Sequence, residues 1–250
     1  MTAYTKQRPV NGVEGIHFVE NFLLNDSVAD AAVGLGDWEL DTIGNASTLA
    51  GITGADGFRP GGLKITTANT ADGDGESLSL KDDAITIPTS TGGGGFAFLA
   101  QLTTTLAGNN FRIGLTDVRT AGTPNDGICV LSDAGVITLE TYSDTQSDKT
   151  KAVASNQVST LTSGTTMVVD TWHLFEVQWS GDNGNGGPDF VELFIDGEPA
   201  ASVHTTIATT DTVELSIVHW QDTGGAAARI MQIAFYEYWQ FFDLPLAAAL

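Results

Sequence analysis

A chain of 250 residues with 10 Lys plus Arg against 31 Asp plus Glu has a formal net charge of −21. That balance excludes a basic groove for nucleic-acid phosphates and attraction to an anionic membrane surface. The single cysteine excludes an internal disulfide, and no apolar run approaches the roughly 18 residues of a membrane helix.

The first fifteen residues, MTAYTKQRPVNGVEG, lack the apolar core of a secretory leader, so synthesis without a signal peptide in a host cytoplasm is expected. Residues 1–36 read as an N-terminal arm: a polar start, the apolar IHFVENFLL, and a short helix near Ser27–Val33. Asn45-Ala46-Ser47 matches a glycosylation sequon, which carries no meaning without secretion. After the turn-forming Gly92–Gly95, the run Phe96–Leu102 predicts a buried strand, and Phe111, Ile113 and Leu115 alternate with Arg112, Gly114 and Thr116 in another. Gly127–Leu131 and Val136–Thr141 predict a hairpin around Ser132–Gly135, and the apolar surroundings of Cys129 predict a buried thiol.

Next, His173, Phe175, Val177 and Trp179 share one strand face, and Val191, Leu193 and Ile195 share another. Asp196-Gly197 predicts a type I′ turn, whose two central residues need positive φ. Strands are expected at Val213–Trp220 and Ile230–Trp239, and the apolar tail 241–250, FFDLPLAAAL, ends the chain. An apolar tail gains from being covered, either by its own sandwich or by another subunit, and in the second case Phe241, Phe242, Leu244, Leu246 and Leu250 are the expected partner contacts. Many short strands between turn signals predict an all-β, antiparallel two-sheet jelly-roll sandwich over residues 37–240.

From Trp172-His173 through VELFIDG, the sequence resembles the concanavalin A-like jelly rolls, particularly the laminin-G-like group. Trp172, Val177, Val191, Leu193, Ile195, Asp196 and Gly197 stand where that group has a tryptophan-led strand, a loop, and an apolar strand closed by Asp-Gly. The resemblance implies that Trp172 and Ile195 are core anchors. Glycosidases of this fold carry clustered acids on one strand, and no such cluster follows Glu176 or Glu192, so no catalytic residues are assigned. No serine-nucleophile elbow or His-Glu-x-x-His spacing is present either. The oxygen-rich loops Asp182–Asp189 and Asp72–Glu76 have a composition that calcium accepts, but they miss the twelve-residue calcium pattern and suit ordinary turns. No metal or other cofactor is assigned. Of five tryptophans, Trp220, followed by polar QDTGG, is the expected exposed platform for a glycan.

The acidic charge, the Thr- and Gly-rich strands and the unprocessed start also resemble structural proteins of tailed-phage virions. That second resemblance implies a non-enzymatic capsid decoration or cement protein on the virion surface. Its partners would be the major capsid protein or other virion proteins and further copies of itself, as in a trimer. The alternative is a lectin-like module binding carbohydrate, as in a receptor-binding fibre.

Overall fold

The computed structural model describes residues 15–22, 38–45, 47–52, 61–68, 71–80, 85–86, 93–143, 145–153, 158–180, 190–203, 212–222 and 227–241. Sixteen strands and no helix lie among them. One sheet runs β14 (Glu198–Val203), β13 (Val191–Ile195), β12 (His173–Trp179), β7 (Gly94–Thr103), β16 (Ile230–Phe241), β4 (Leu63–Thr66) and β3 (Thr48–Gly51), with β1 (Gly15–Glu20) also on β16. The other runs β11 (Thr145–Val153), β10 (Val136–Ser143), β9 (Gly127–Asp133), β8 (Asn109–Thr116), β15 (Thr212–Gln221), β5 (Gly75–Leu80) and β2 (Trp38–Ile43), with β6 (Ile85–Thr86) on β15. Every pairing is antiparallel. The all-β two-sheet sandwich is the expected architecture.

Alternation explains how the sheets face each other. His173, Phe175, Val177 and Trp179 are all buried, as are Val191, Leu193 and Ile195 on the neighbouring strand. The Phe98 ring stacks on Phe175 of the neighbouring strand with centroids 4.8 Å apart, and across the gap it meets Phe111 of the second sheet edge-on at 6.1 Å. Trp38 and Tyr236 make a second inter-sheet contact at 5.8 Å. The Asp196-Gly197 turn has φ of 53° and 83°, and Ala134-Gly135 has 48° and 86°, so both hairpins use the positive-φ pairs that such turns require.

The glycine run behaves differently from a simple turn. Gly94 and Gly95 open β7, with a tryptophan ring lying over each on opposite faces. A Cβ on Gly94 would lie 2.3 Å from Trp179 Cζ2, and one on Gly95 would lie 2.3 Å from Trp239 Cζ2. Glycine is required here by close approach.

The segment expected as an arm contributes to the sandwich. β1 pairs residue for residue with the second half of β16, from Gly15↔Phe241 to Glu20↔Tyr236, while β4 pairs with the first half. β16 is long enough to hold two short strands end to end on one edge. Phe22, just beyond β1, is fully buried, 5.7 Å from the Trp38 ring. Phe241 likewise ends β16, and its N–H donates to Gly93 O at 2.9 Å. Phe242, Leu244, Leu246 and Leu250 lie outside the described residues, as do Ser27–Val33 and the loop Asp182–Asp189.

Candidate functional site

Three strands of the first sheet each place a polar side chain between two core residues, and therefore on the outer face. Lys64 lies between Leu63 and Ile65, Gln232 between Met231 and Ile233, and Gln101 between Ala100 and Leu102; all six flanking residues are fully buried. The register sets Lys64 opposite Gln232, and Gln232 opposite Gln101. His173 pairs with Ala100, so Trp172, one step before it, extends the row onto a fourth strand line. Four strand lines give a row of roughly 14 Å at about 4.8 Å per gap.

These residues line a shallow depression of about 580 Å³ together with Thr103, Thr104 and Asp170. At its floor, Gln101 Nε2 donates to Gln232 Oε1 at 2.6 Å. That bond uses one N–H of Gln101 and one lone pair of Gln232, leaving Gln101 Oε1, both N–H groups of Gln232 and the second N–H of Gln101 for other partners. Turning both amides over exchanges these roles. Gln101 and Gln232 are only 6% and 4% exposed. The rim is strained: Asp170 has φ 57° and Thr104 has φ 72°. The second is an uncommon conformation for a β-branched residue, and such strain concentrates at binding sites.

The strand that follows Trp172 is anchored at its first residues. His173, fully buried, bonds through Nδ1 to Asp196 Oδ2 at 2.8 Å and through Nε2 accepts the Val168 N–H at 3.5 Å. Asp196 also accepts the Leu174 N–H at 2.8 Å and the Thr160 hydroxyl at 2.5 Å. Burial alone would raise the Asp196 pKa. The hydrogen bonds from Thr160, His173 and the Leu174 N–H outweigh it and hold the carboxyl below its usual range. The Asp170 N–H donates to Leu102 O at 3.0 Å, pinning the rim to the end of β7.

Two expectations about tryptophans are therefore corrected. Trp172 is half-buried at the depression, not a core anchor, whereas Ile195 is fully buried. Trp220 is 8% exposed, and its indole N–H donates to Asp222 at 2.8 Å, so it presents little open face. The remaining three, Trp38, Trp179 and Trp239, are buried as well. The sequence signal that marks the site is a polar residue inside each of the apolar runs LKI, FLAQL and IMQIAF.

Other acids and histidines are engaged elsewhere. Glu176 and Glu237 both stand opposite Ala97 in the register, on either side of β7, a pair absent from any single-strand motif. Glu176 accepts from Gln178 Nε2 at 2.6 Å, Glu237 bonds His17 at 2.9 Å, and the two acids are nearly enclosed. Glu192 has its pKa raised by burial. In the Asp72–Glu76 turn, Asp74 accepts N–H groups from Ala71 and Asn45 at 2.8 and 2.9 Å, and Asn45 Nδ2 at 2.9 Å, so this carboxylate staples the turn. Among the described residues, no three His, Cys, Asp or Glu side chains gather as a metal site.

No family model and no curated protein matches the chain by sequence. Solved structures do resemble it. A protein of unknown function from Shewanella oneidensis MR-1 has a TM-score of 0.60 at 11% identity, over 96% of this chain and 93% of its own. A Bacillus licheniformis β-glucanase has 0.56 at 13%, over 89% and 97%. The botulinum neurotoxin serotype C1 binding domain has 0.54 at 10%, over 92% of this chain and 49% of its own. At such identities these likenesses establish the fold alone, and the fold is a concanavalin A-like jelly-roll sandwich.

Proposed function

We propose that this protein is a non-catalytic, lectin-like module that binds carbohydrate at the Trp172 depression. The observation that carries the reading is the partly exposed Trp172 beside an almost enclosed, mutually bonded amide pair that keeps both N–H donors and an acceptor oxygen to offer. An aromatic face covers the C–H side of a sugar ring, while a few placed polar groups fix its hydroxyls. Hydrolysis is left out because Glu176 and Glu237, though they flank one strand, are enclosed and hydrogen-bonded. A catalytic pair needs open carboxylates on either side of the scissile bond. The test is calorimetric titration with an oligosaccharide panel. Trp172→Ala is expected to weaken binding by about tenfold or more, roughly 1.4 kcal/mol, with an unchanged melting midpoint. Equal affinity of the variant and the parent for every bound glycan would reject the site.

A second reading, decoration of a phage capsid, is favoured by a different observation. The Gly15↔Phe241 pairing brings the chain into and out of the described sandwich at one corner. Segments 1–14 and 242–250 would then act together on the major capsid protein or on further copies in a trimer. In this reading, a form ending at Phe241 keeps the sandwich and no longer sediments with capsid shells; undiminished co-sedimentation rejects it.

A further inference from the structure

Resting on the carbohydrate reading, we infer that Thr104 is a ligand contact of the Trp172 depression, held there by a strained turn that Asn109 and His219 brace from inside the sandwich. The Thr105 N–H donates to Thr103 O at 2.9 Å, two residues back, and Thr104 between them has φ 72°. That combination is the positive-φ γ-turn, a rare and strained form. Glycine meets such a φ without a Cβ penalty, whereas a β-branched residue does not. Thr104 is exposed, so the core gains nothing from its side chain, and its hydroxyl donates to Thr103 O at 2.5 Å. The hydroxyl oxygen keeps lone pairs for a sugar hydroxyl, and the residue lines the depression together with Gln101 and Trp172. Strain kept at an exposed rim residue is accounted for by what its side chain meets in the depression.

The brace lies behind the turn. Asn109 is fully buried, and its Nδ2 faces three carbonyls: Thr105 O at 3.0 Å, Ile230 O at 3.3 Å and Thr103 O at 3.5 Å. Two of them flank Thr104, and the third opens β16, two residues before Gln232. Three carbonyls fix which end of the amide carries hydrogen, so Oδ1 is the atom that accepts from His219 Nε2 at 2.8 Å. Nε2 therefore carries a proton, and burial with no partner at Nδ1 keeps the ring neutral. One buried imidazole thus sets one buried amide, and that amide ties both sides of the turn. Freed of it, the chain at Thr104 relaxes toward a commoner φ and carries the side chain away from the depression.

The experiment titrates the full chain with gluco-, galacto- and manno-oligosaccharides by calorimetry, beside melting curves without ligand. Thr104→Gly is expected to melt at the parent's temperature or higher, since relief of the turn offsets glycine's extra freedom when unfolded. The same variant is expected to bind the sugar about fivefold more weakly. His219→Leu, which removes the donor to Asn109, is expected to weaken binding by about as much and to speed hydrogen exchange at the Thr105 N–H. His219→Gln, which keeps an N–H, is expected to restore both. If His219→Leu melts too early to titrate, slower Thr105 exchange in the parent on adding sugar reports the same coupling. A lowered midpoint for Thr104→Gly means that the turn is not strained, and parent-like affinity means that Thr104 meets no ligand. Either result overturns the inference while the Trp172 site stands. Parent-like affinity and exchange in His219→Leu, or Thr105 exchange in the parent that ignores the sugar, overturn the brace. Failure of every probe to bind, or indifference of binding to Trp172→Ala, removes the carbohydrate reading itself and the Thr104 contact with it.

Discussion

His219 lies wholly inside the sandwich, with Nε2 2.8 Å from Asn109 Oδ1 and with Nδ1 lacking any hydrogen-bond partner. Burial pushes its pKa down to about 3, from an ordinary value of 6.5. Between those values the unfolded chain takes up a proton that the folded chain refuses, so stability falls as pH drops. The contribution is complete above about pH 6.5 and declines by roughly 1 kcal/mol per pH unit toward pH 3. His219→Gln, which retains an N–H donor without a titrating ring, is expected to show a shallower loss of melting temperature between pH 6.5 and 4. Parallel pH profiles for parent and variant would show that other groups govern acid unfolding. The tryptophans mark the limit of reading single residues from sequence. Trp220 reads as exposed from its polar neighbours, yet Asp222, two residues on, takes its indole N–H and lets the ring stay buried. Trp172 reads as a core anchor from its place at a strand start. It lies one residue before that strand and turns to the rim.

Strands with clear alternation were legible with their boundaries. His173–Trp179 and Val191–Ile195 form where the apolar pattern places them, and Gly127–Asp133 pairs with Val136–Ser143 around the expected turn. Strands of the first 86 residues were not legible, for two physical reasons. In β5, Leu78 and Leu80 face the core, but Ser77 and Ser79 on the other face are buried too. Arg112 donates to the carbonyls of Val118, Thr120 and Gly122 above that outer face. Arg119 bonds Glu214 on β15 and Glu39 on β2. That loop provides burial which no local pattern encodes. β1 was hidden because its partner lies at the other end of the chain, more than 200 residues away. The candidate site was hidden for the same reason: Lys64, Gln101, Trp172 and Gln232 meet only through the register of strands distant in sequence. β1 also carries a prediction. Phe22→Ala should lower stability by about 3–5 kcal/mol, the usual cost of removing a buried aromatic ring. Chemical denaturation checks this, and a loss under about 1 kcal/mol would mean that β1 and its trailing Phe22 do not belong to the cooperative core.

At the scale of the molecule, the two sheets provide a rigid base, and the polar row on the outer face of one of them provides the chemistry. The acidic charge disfavours nonspecific contact with polyanions, which leaves recognition to localised, mostly uncharged groups. A site built on strands is held more firmly than one carried on loops alone, and here three of its side chains stand on β4, β7 and β16. Binding should therefore perturb a small, contiguous set of groups and leave the far sheet unmoved. The decisive measurement is an amide and indole proton–nitrogen correlation spectrum of the labelled protein, recorded while an oligosaccharide that binds is added. The predicted result is movement of the Trp172 indole N–H and the Gln101 and Gln232 side-chain amides, with Trp220 and the strands of the second sheet unchanged. Saturable shifts confined to another surface, with Trp172 and both glutamines still, would contradict the assignment.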